Sequence, residues 1–199
     1  THIWHSEKVL LMRVFIAVLV ILFSLQSLTK ADDIRDFEIE GISIGDSLLD
    51  YYSKKILTAG TADYYKDNTY ASNRFRTSGS ESLFEFVTVS YLTDDKTFKA
   101  EAISGNLNFP DNIKACYKKM DEVKESLMKS LLDIIPERKK TNKNATYGVY
   151  TYISFIFDSG DEISVSCYDY DKKYPYADIF RLSLETIEYR NWIEFKAYE

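Results

Sequence analysis

Apolar and polar residues alternate through Leu83–Tyr91 and Thr97–Phe109, and again through Tyr147–Phe157, Glu162–Tyr170 and Ile179–Leu184. Period-two alternation is the signature of strands. The breaks at Thr93-Asp94-Asp95-Lys96 and Asp158-Ser159-Gly160-Asp161 supply turn residues, so two antiparallel hairpins are expected. Phe84 and Phe86 oppose Leu83, Val87 and Val89, which predicts a central strand covered on both faces. Pro110–Ile135 carries a different rhythm. Ile113, Cys116, Tyr117, Met120, Val123, Leu127, Leu131 and Ile134 recur at helical spacing, with charged residues opposite and Pro136 as a stop. Pro110 is tolerated in a first helical turn. The stripe is core in type and carries no catalytic group.

The remaining stretches are less regular. Phe37, Ile39, Ile42 and Ile44 alternate around Gly41, which suggests a short extended segment. A helix is expected from near Asp46-Ser47, with Ser47 and Asp50 as a capping box, Leu48, Leu49, Tyr52 and Ile56 on one face, and Gly60 as its C-terminal cap. Ala62–Ser82 reads as a loop with one short strand around Asn73–Thr77, and Asn142–Thr146 as a loop. Arg138-Lys139-Lys140 with Lys143 reads as a solvated basic connector. Thr186–Phe195 reads as a closing helix or a strand end. Paired strands separated by one strong helix indicate an α+β fold: an antiparallel sheet from two hairpins plus a further strand, with one long amphipathic helix packed on one face.

Met12–Ala31 has a basic start at Arg13, an apolar run from Val14 to Phe23 and the small-residue exit Thr29-Lys30-Ala31. These are the three parts of a secretory signal, and the apolar run is short for a spanning helix of about 20 residues. The rival reading is an anchor retained in the inner membrane. Thr1–Leu11 then reads as an over-extended N-terminus, and residues 32–199 as a single α+β domain in the periplasm or outside the cell.

Charge and composition narrow the chemistry. The formal net charge is −6; Lys8, Arg13, Lys30 and Glu7 leave with the first 31 residues, which takes it to −8. An acidic surface repels phosphate backbones and argues against nucleic acid as a partner. Both histidines, His2 and His5, lie in the discarded stretch. Ser-His-Asp and Cys-His nucleophiles, HExxH zinc sites and histidine bases are therefore excluded from the mature chain. No catalytic, cofactor-binding or metal-binding residue is assigned. Asp158, Asp161 and Glu162, and Asp169 with Asp171, are oxygen ligands in type but match no EF-hand loop, and read as acidic turns. Asn144-Ala145-Thr146 fits a glycosylation sequon, which matters only in a eukaryotic secretory path. The 16 tyrosines could line a surface for sugars or peptides. Their spread along the chain favours base composition as the explanation.

Cys116 sits on the helical stripe, and Cys167 shares a strand face with Ile163 and Val165. Both point inward, and in an oxidising compartment they are expected to pair.

Phe37–Tyr52 (FEIEGISIGDSLLDYY), Asp111–Met120 (DNIKACYKKM) and Ile163–Tyr168 (ISVSCY) resemble a set of small exported proteins of marine alphaproteobacteria with no assigned function. The resemblance spans most of the mature chain and implies an envelope location without a mechanism. The Gly-x-x-x-Gly lead into a short helix is also similar to small outer-membrane-assembly lipoproteins, although the lipid-attachment cysteine is missing here. The function expected is a non-catalytic envelope protein that binds a partner protein or small molecule, with no cofactor. The alternatives are a carboxylate-dependent hydrolase acting on sugar or peptidoglycan, and a membrane-anchored assembly factor.

Overall fold

The computed structural model describes residues 32–59, 65–78, 81–145 and 147–199, with backbone alone for 138–145. The export segment, the N-terminal extension, Gly60 and Thr146 of the sequon lie outside the described residues. The described residues fall within one compact unit, Ala31–Glu199.

Seven strands make one antiparallel sheet: β3 (Tyr70–Arg76), β4 (Phe86–Leu92), β5 (Ala102–Phe109), β6 (Glu137–Ala145), β7 (Gly148–Ile156), β8 (Glu162–Tyr170) and β9 (Asp178–Glu185). Their spatial order is β3-β4-β5-β9-β8-β7-β6. The chain builds a three-strand meander and then leaves β5 through the long helix α2 (Ile113–Ser130). It lands at the far edge as β6 and returns through β7 and β8, until β9 pairs with β5. That route carries α2 across one face, where it packs on β8, β9 and β5. The fold class expected from the sequence is the one observed.

The α2 stripe faces the sheet as its spacing required. Cys116, Met120 and Leu131 are fully buried, and Ile113, Tyr117, Val123, Leu127 and Ile134 pack around them. The helix begins later than Pro110, because the Asn112 side chain accepts from the Ala115 N–H and caps it. Beneath it, Val87, Val89, Ile103, Phe180, Leu184 and Phe155 occupy the alternate positions of their strands, all at 1% exposure or less. The N-terminal segment covers the rest of this face: the hairpin β1 (Glu38–Ile39) and β2 (Ile42–Ser43) turns at Glu40-Gly41, and Ile34, Ile39, Ile42 and Leu48 are buried in the same core. Gly41 has φ +78, a conformation that glycine adopts without strain.

Four local expectations are corrected. Residues 48–50 form only a 3-10 turn, followed by the six-residue helix α1 (Lys54–Ala59), and the buried positions are Leu48 and Leu57 while Leu49 and Ile56 are exposed. Ser47 makes no cap. Its hydroxyl donates to the Thr97 carbonyl, because a bridge to Lys99 draws it toward the start of β5. Residues 138–145, expected as connector and loop, are part of edge strand β6, held to β7 by a ladder with two register shifts. β4 is apolar on the α2 side only. Phe84 turns back to that side and lies over Gly105, Leu83 is exposed, and the opposite face carries Phe86, Thr88 and Ser90.

The C-terminal helix α3 (Ile187–Phe195) packs at the end of the sheet opposite to the β9 start. Thr186 caps it by accepting from the Tyr189 N–H, and Asp161 accepts from the Ile187 N–H at 2.9 Å. Tyr189 and Trp192 pack with Tyr70 and Ala102 in a second, smaller core.

Cys116 and Cys167 are joined by a disulfide with a Cα–Cα distance of 6.1 Å, closing 51 residues and fastening α2 to β8. No helix among the described residues is long and apolar enough to cross a membrane.

Candidate functional site

The face of the sheet away from α2 is polar, and the strand register arranges it in rows. One row runs Arg74, Thr88, Ser104, Ser183, Ser164 and Ser154 across six strands. The next row, two residues along each strand, includes Phe86, Asn106, Arg181, Ser166 and Tyr152. On the other side of the hydroxyl row stand Ser72, Ser90, Ala102, Glu185 and Glu162. Short side chains leave a depression between taller neighbours, and Ser72, Ser90, Asn106 and Ser183 are at most 3% exposed. The result is a groove of about 560 Å³.

Aromatic side chains wall it at both ends. At the α3 end, Tyr65 stands 4.8 Å from Trp192 and 5.6 Å from Tyr198, ring centre to ring centre. A run of hydroxyls descends from there into the floor: Tyr65 to Tyr189 at 3.4 Å, Ser90 to Tyr189 at 3.3 Å, and Ser90 to Ser72 at 2.8 Å. At the other end the lining tyrosines are Tyr147 and Tyr170. Tyr170 contacts Tyr176 at 5.2 Å, and behind them on the same face Tyr150 stacks on Tyr168 at 4.4 Å and on Tyr152 at 5.1 Å. Tyrosines spread along the sequence are thus gathered by pairing. Burial and the neighbouring Tyr168 push the Tyr150 phenol well above its usual value, so it stays protonated at any ordinary pH.

Two charged groups on β9 project into this groove. Arg181 donates from Nε to Asn106 Oδ1 at 3.0 Å and from Nη1 to the Tyr168 hydroxyl at 3.4 Å, with its guanidinium 5.1 Å from the Tyr168 ring centre. Burial works against its charge, but the surrounding groups, Glu185 among them, hold it above the ordinary value. Burial, then the adjacent Glu162, pushes the Glu185 carboxyl up to about 7 against the pull of Arg181 and Arg190. Glu162 is committed elsewhere: it accepts from the Ser154 hydroxyl at 2.6 Å and pairs with Arg190 at 3.0 Å.

The acidic turns have structural partners. Asp161 caps α3 and accepts from the Ser159 hydroxyl, and Asp171 accepts from the Lys173 backbone and ammonium. No cluster of metal-ligating side chains is present among the described residues.

The sequence reading did not single out Arg181 or Glu185. The available signal was β9 itself, DIFRLSLE, whose outward phase reads Ile179, Arg181, Ser183, Glu185. A second signal was the recurrence of serine on the polar phase, Ser104 on β5, Ser154 on β7, Ser164 and Ser166 on β8 and Ser183 on β9, at positions where a solvated strand face accepts long charged side chains. The chain matches no family model, no curated protein and no solved structure.

Proposed function

We propose that this is an exported, non-catalytic envelope protein that binds a small molecule in the groove on the polar face of its sheet. The observation that carries this reading is the convergence of Arg181, Glu185 and a floor of serine, threonine and asparagine between two tyrosine walls, in a volume of about 560 Å³. Small-molecule sites are concave, partly aromatic, and carry a few placed polar groups. Export rests on the pattern of Met12–Ala31, and a disulfide between two buried cysteines suits an oxidising compartment. The envelope location implied by the resemblance to small exported alphaproteobacterial proteins agrees with that address. N-terminal sequencing of exported protein checks it: a chain beginning at or near Asp32 is expected, and one retaining Val14–Leu25 would indicate the anchored assembly factor instead.

Ligand binding is checked by native mass spectrometry against a panel of saccharides and organic acids. A one-to-one adduct is expected, lost in Ser104→Phe, which fills the floor. Adducts that persist in that variant would remove the groove from the account.

One observation favours the hydrolase as a second reading. Glu185 and Glu162 are directly paired across β9 and β8 on the groove side, and Glu185 is held near neutrality as a general acid must be. The Arg190 pairing of Glu162 weighs against it, because that carboxylate is neutralised and hydrogen-bonded. Glycosidase turnover abolished by Glu185→Gln would establish this second reading over the first.

A further inference from the structure

We propose that the ligand of the groove is a polyhydroxylated carboxylate, an acid sugar of the uronate type, with its carboxylate held by Arg181. This rests on the reading of the groove as a binding site and adds the chemical class.

A guanidinium has five N–H donors, and two of those of Arg181 are spent on Asn106 and Tyr168, which fix its plane. It makes no ion pair with any carboxylate among the described residues; Arg190, by contrast, has Glu162 at 3.0 Å. A second guanidinium reaches the same groove from the opposite side. Arg74 lies 4.1 Å from the Phe86 ring centre, also lining the groove and also without an ion pair among the described residues. Burial pushes the Tyr170 phenol up overall, while Arg181 and Arg74 both pull it down, so the two guanidiniums lie within electrostatic reach of one side chain. An acidic chain has therefore gathered two cations without paired carboxylates in one depression. Such an arrangement raises the local concentration of small anions and offers them forked, charge-assisted hydrogen bonds.

The remaining surfaces narrow the anion. Ser, Thr and Asn side chains both donate and accept, which suits a ligand whose hydroxyls do the same. Tyrosine walls present flat apolar faces with polar tips, which suit the C–H faces of a pyranose ring. Glu185 is the one carboxylate among the described residues lining the groove, and its ionised form repels a dianion more than a monoanion. A carboxylate is thus preferred over a phosphate. The volume accommodates one or two sugar rings and excludes a folded partner.

The test is calorimetric titration of the disulfide-bonded protein with glucuronate, glucose and glucose 6-phosphate at about pH 8, where Glu185 is ionised, repeated with Arg181→Gln and Arg181→Lys. Glucuronate is expected to bind at least about tenfold more tightly than glucose. Arg181→Gln should erase that preference while glucose binding persists, and Arg181→Lys should retain part of it, since it keeps the charge without the fork. Thermal melts of both variants establish that they are folded. Equal affinities for glucuronate and glucose would overturn the carboxylate assignment while leaving the groove as a sugar site. Preference for the phosphate, or an unchanged preference in folded Arg181→Gln, would also overturn it. Absence of binding by all three would overturn the sugar class, and the adduct screen with Ser104→Phe then decides separately whether the groove binds anything.

Discussion

Replacing Cys116 and Cys167 by alanine removes the single covalent tie between α2 and the sheet. The bond closes 51 residues, and both half-cystines are fully buried. The loop-closure entropy removed from the unfolded chain by such a bridge is about 4 kcal/mol at 25 °C. A urea dependence of about 2 kcal/mol per molar then places the unfolding midpoint of the double variant about 2 M lower. The expected loss belongs mainly to the unfolded state, so the variant should keep the native circular dichroism spectrum in the absence of denaturant. The assay is paired urea titrations of the two proteins, with a thiol count on the denatured, unreduced parent. A midpoint drop below about 0.5 M, or two reactive thiols in the parent, would refute the reasoning.

Three further expectations follow from the polar face and its surroundings. Glu185 has a folded-state pKa of about 7, above the ordinary 4.5, so the unfolded chain loses this proton first. Its contribution to stability is full below about 4.5 and is lost as pH rises to about 7, on the order of 3 kcal/mol. Glu185→Gln should flatten that part of the stability profile and be more stable than the parent at pH 8; equal slopes would contradict the burial of this carboxyl. A Cβ at residue 105 would meet the Phe84 ring at 2.5 Å. Gly105→Ala should therefore cost about 1–3 kcal/mol in chemical denaturation, and an unperturbed midpoint would count against the Phe84 packing. Tyr70, through burial, and Tyr51, through its hydrogen bond to Asp46, are pushed up to about 12, and Tyr150 and Tyr189 higher still. Ultraviolet titration of the folded protein to pH 11 should leave several phenols unionised, all of which ionise normally in guanidinium; one wave covering all 16 tyrosines in the folded state would be the contrary result.

What could be read from the chain and what could not divide along physical lines. The α2 stripe and the β7–β8 hairpin were legible because each buries one face against the core, and burial leaves a period in the sequence. Edge strand β6, with the sequence ERKKTNKNA, has no such apolar period, and its pairing with β7 rests on backbone hydrogen bonds that any residue supplies. The Ser47 cap failed because a tertiary partner, the Thr97 carbonyl, took the hydroxyl that local sequence had assigned to a helix. The groove was the hardest to see. Arg74, Ser104 and Arg181 sit on β3, β5 and β9, and they meet only because β9 returns to pair with β5. Tyrosine content carried the same ambiguity, since spacing along the chain says nothing of which strands become neighbours.

The central claim is that the polar face of the sheet is where this protein meets its ligand. Nitrogen-15-edited NMR spectra of residues 32–199, recorded during titration with a mixed panel of saccharides and small organic acids, test it most directly. The account predicts shift changes centred on Thr88, Ser104, Arg181, Ser183 and Glu185, with the α2 amides unmoved. Shifts confined to α2 or to the β6 edge, with the groove amides silent, would contradict it.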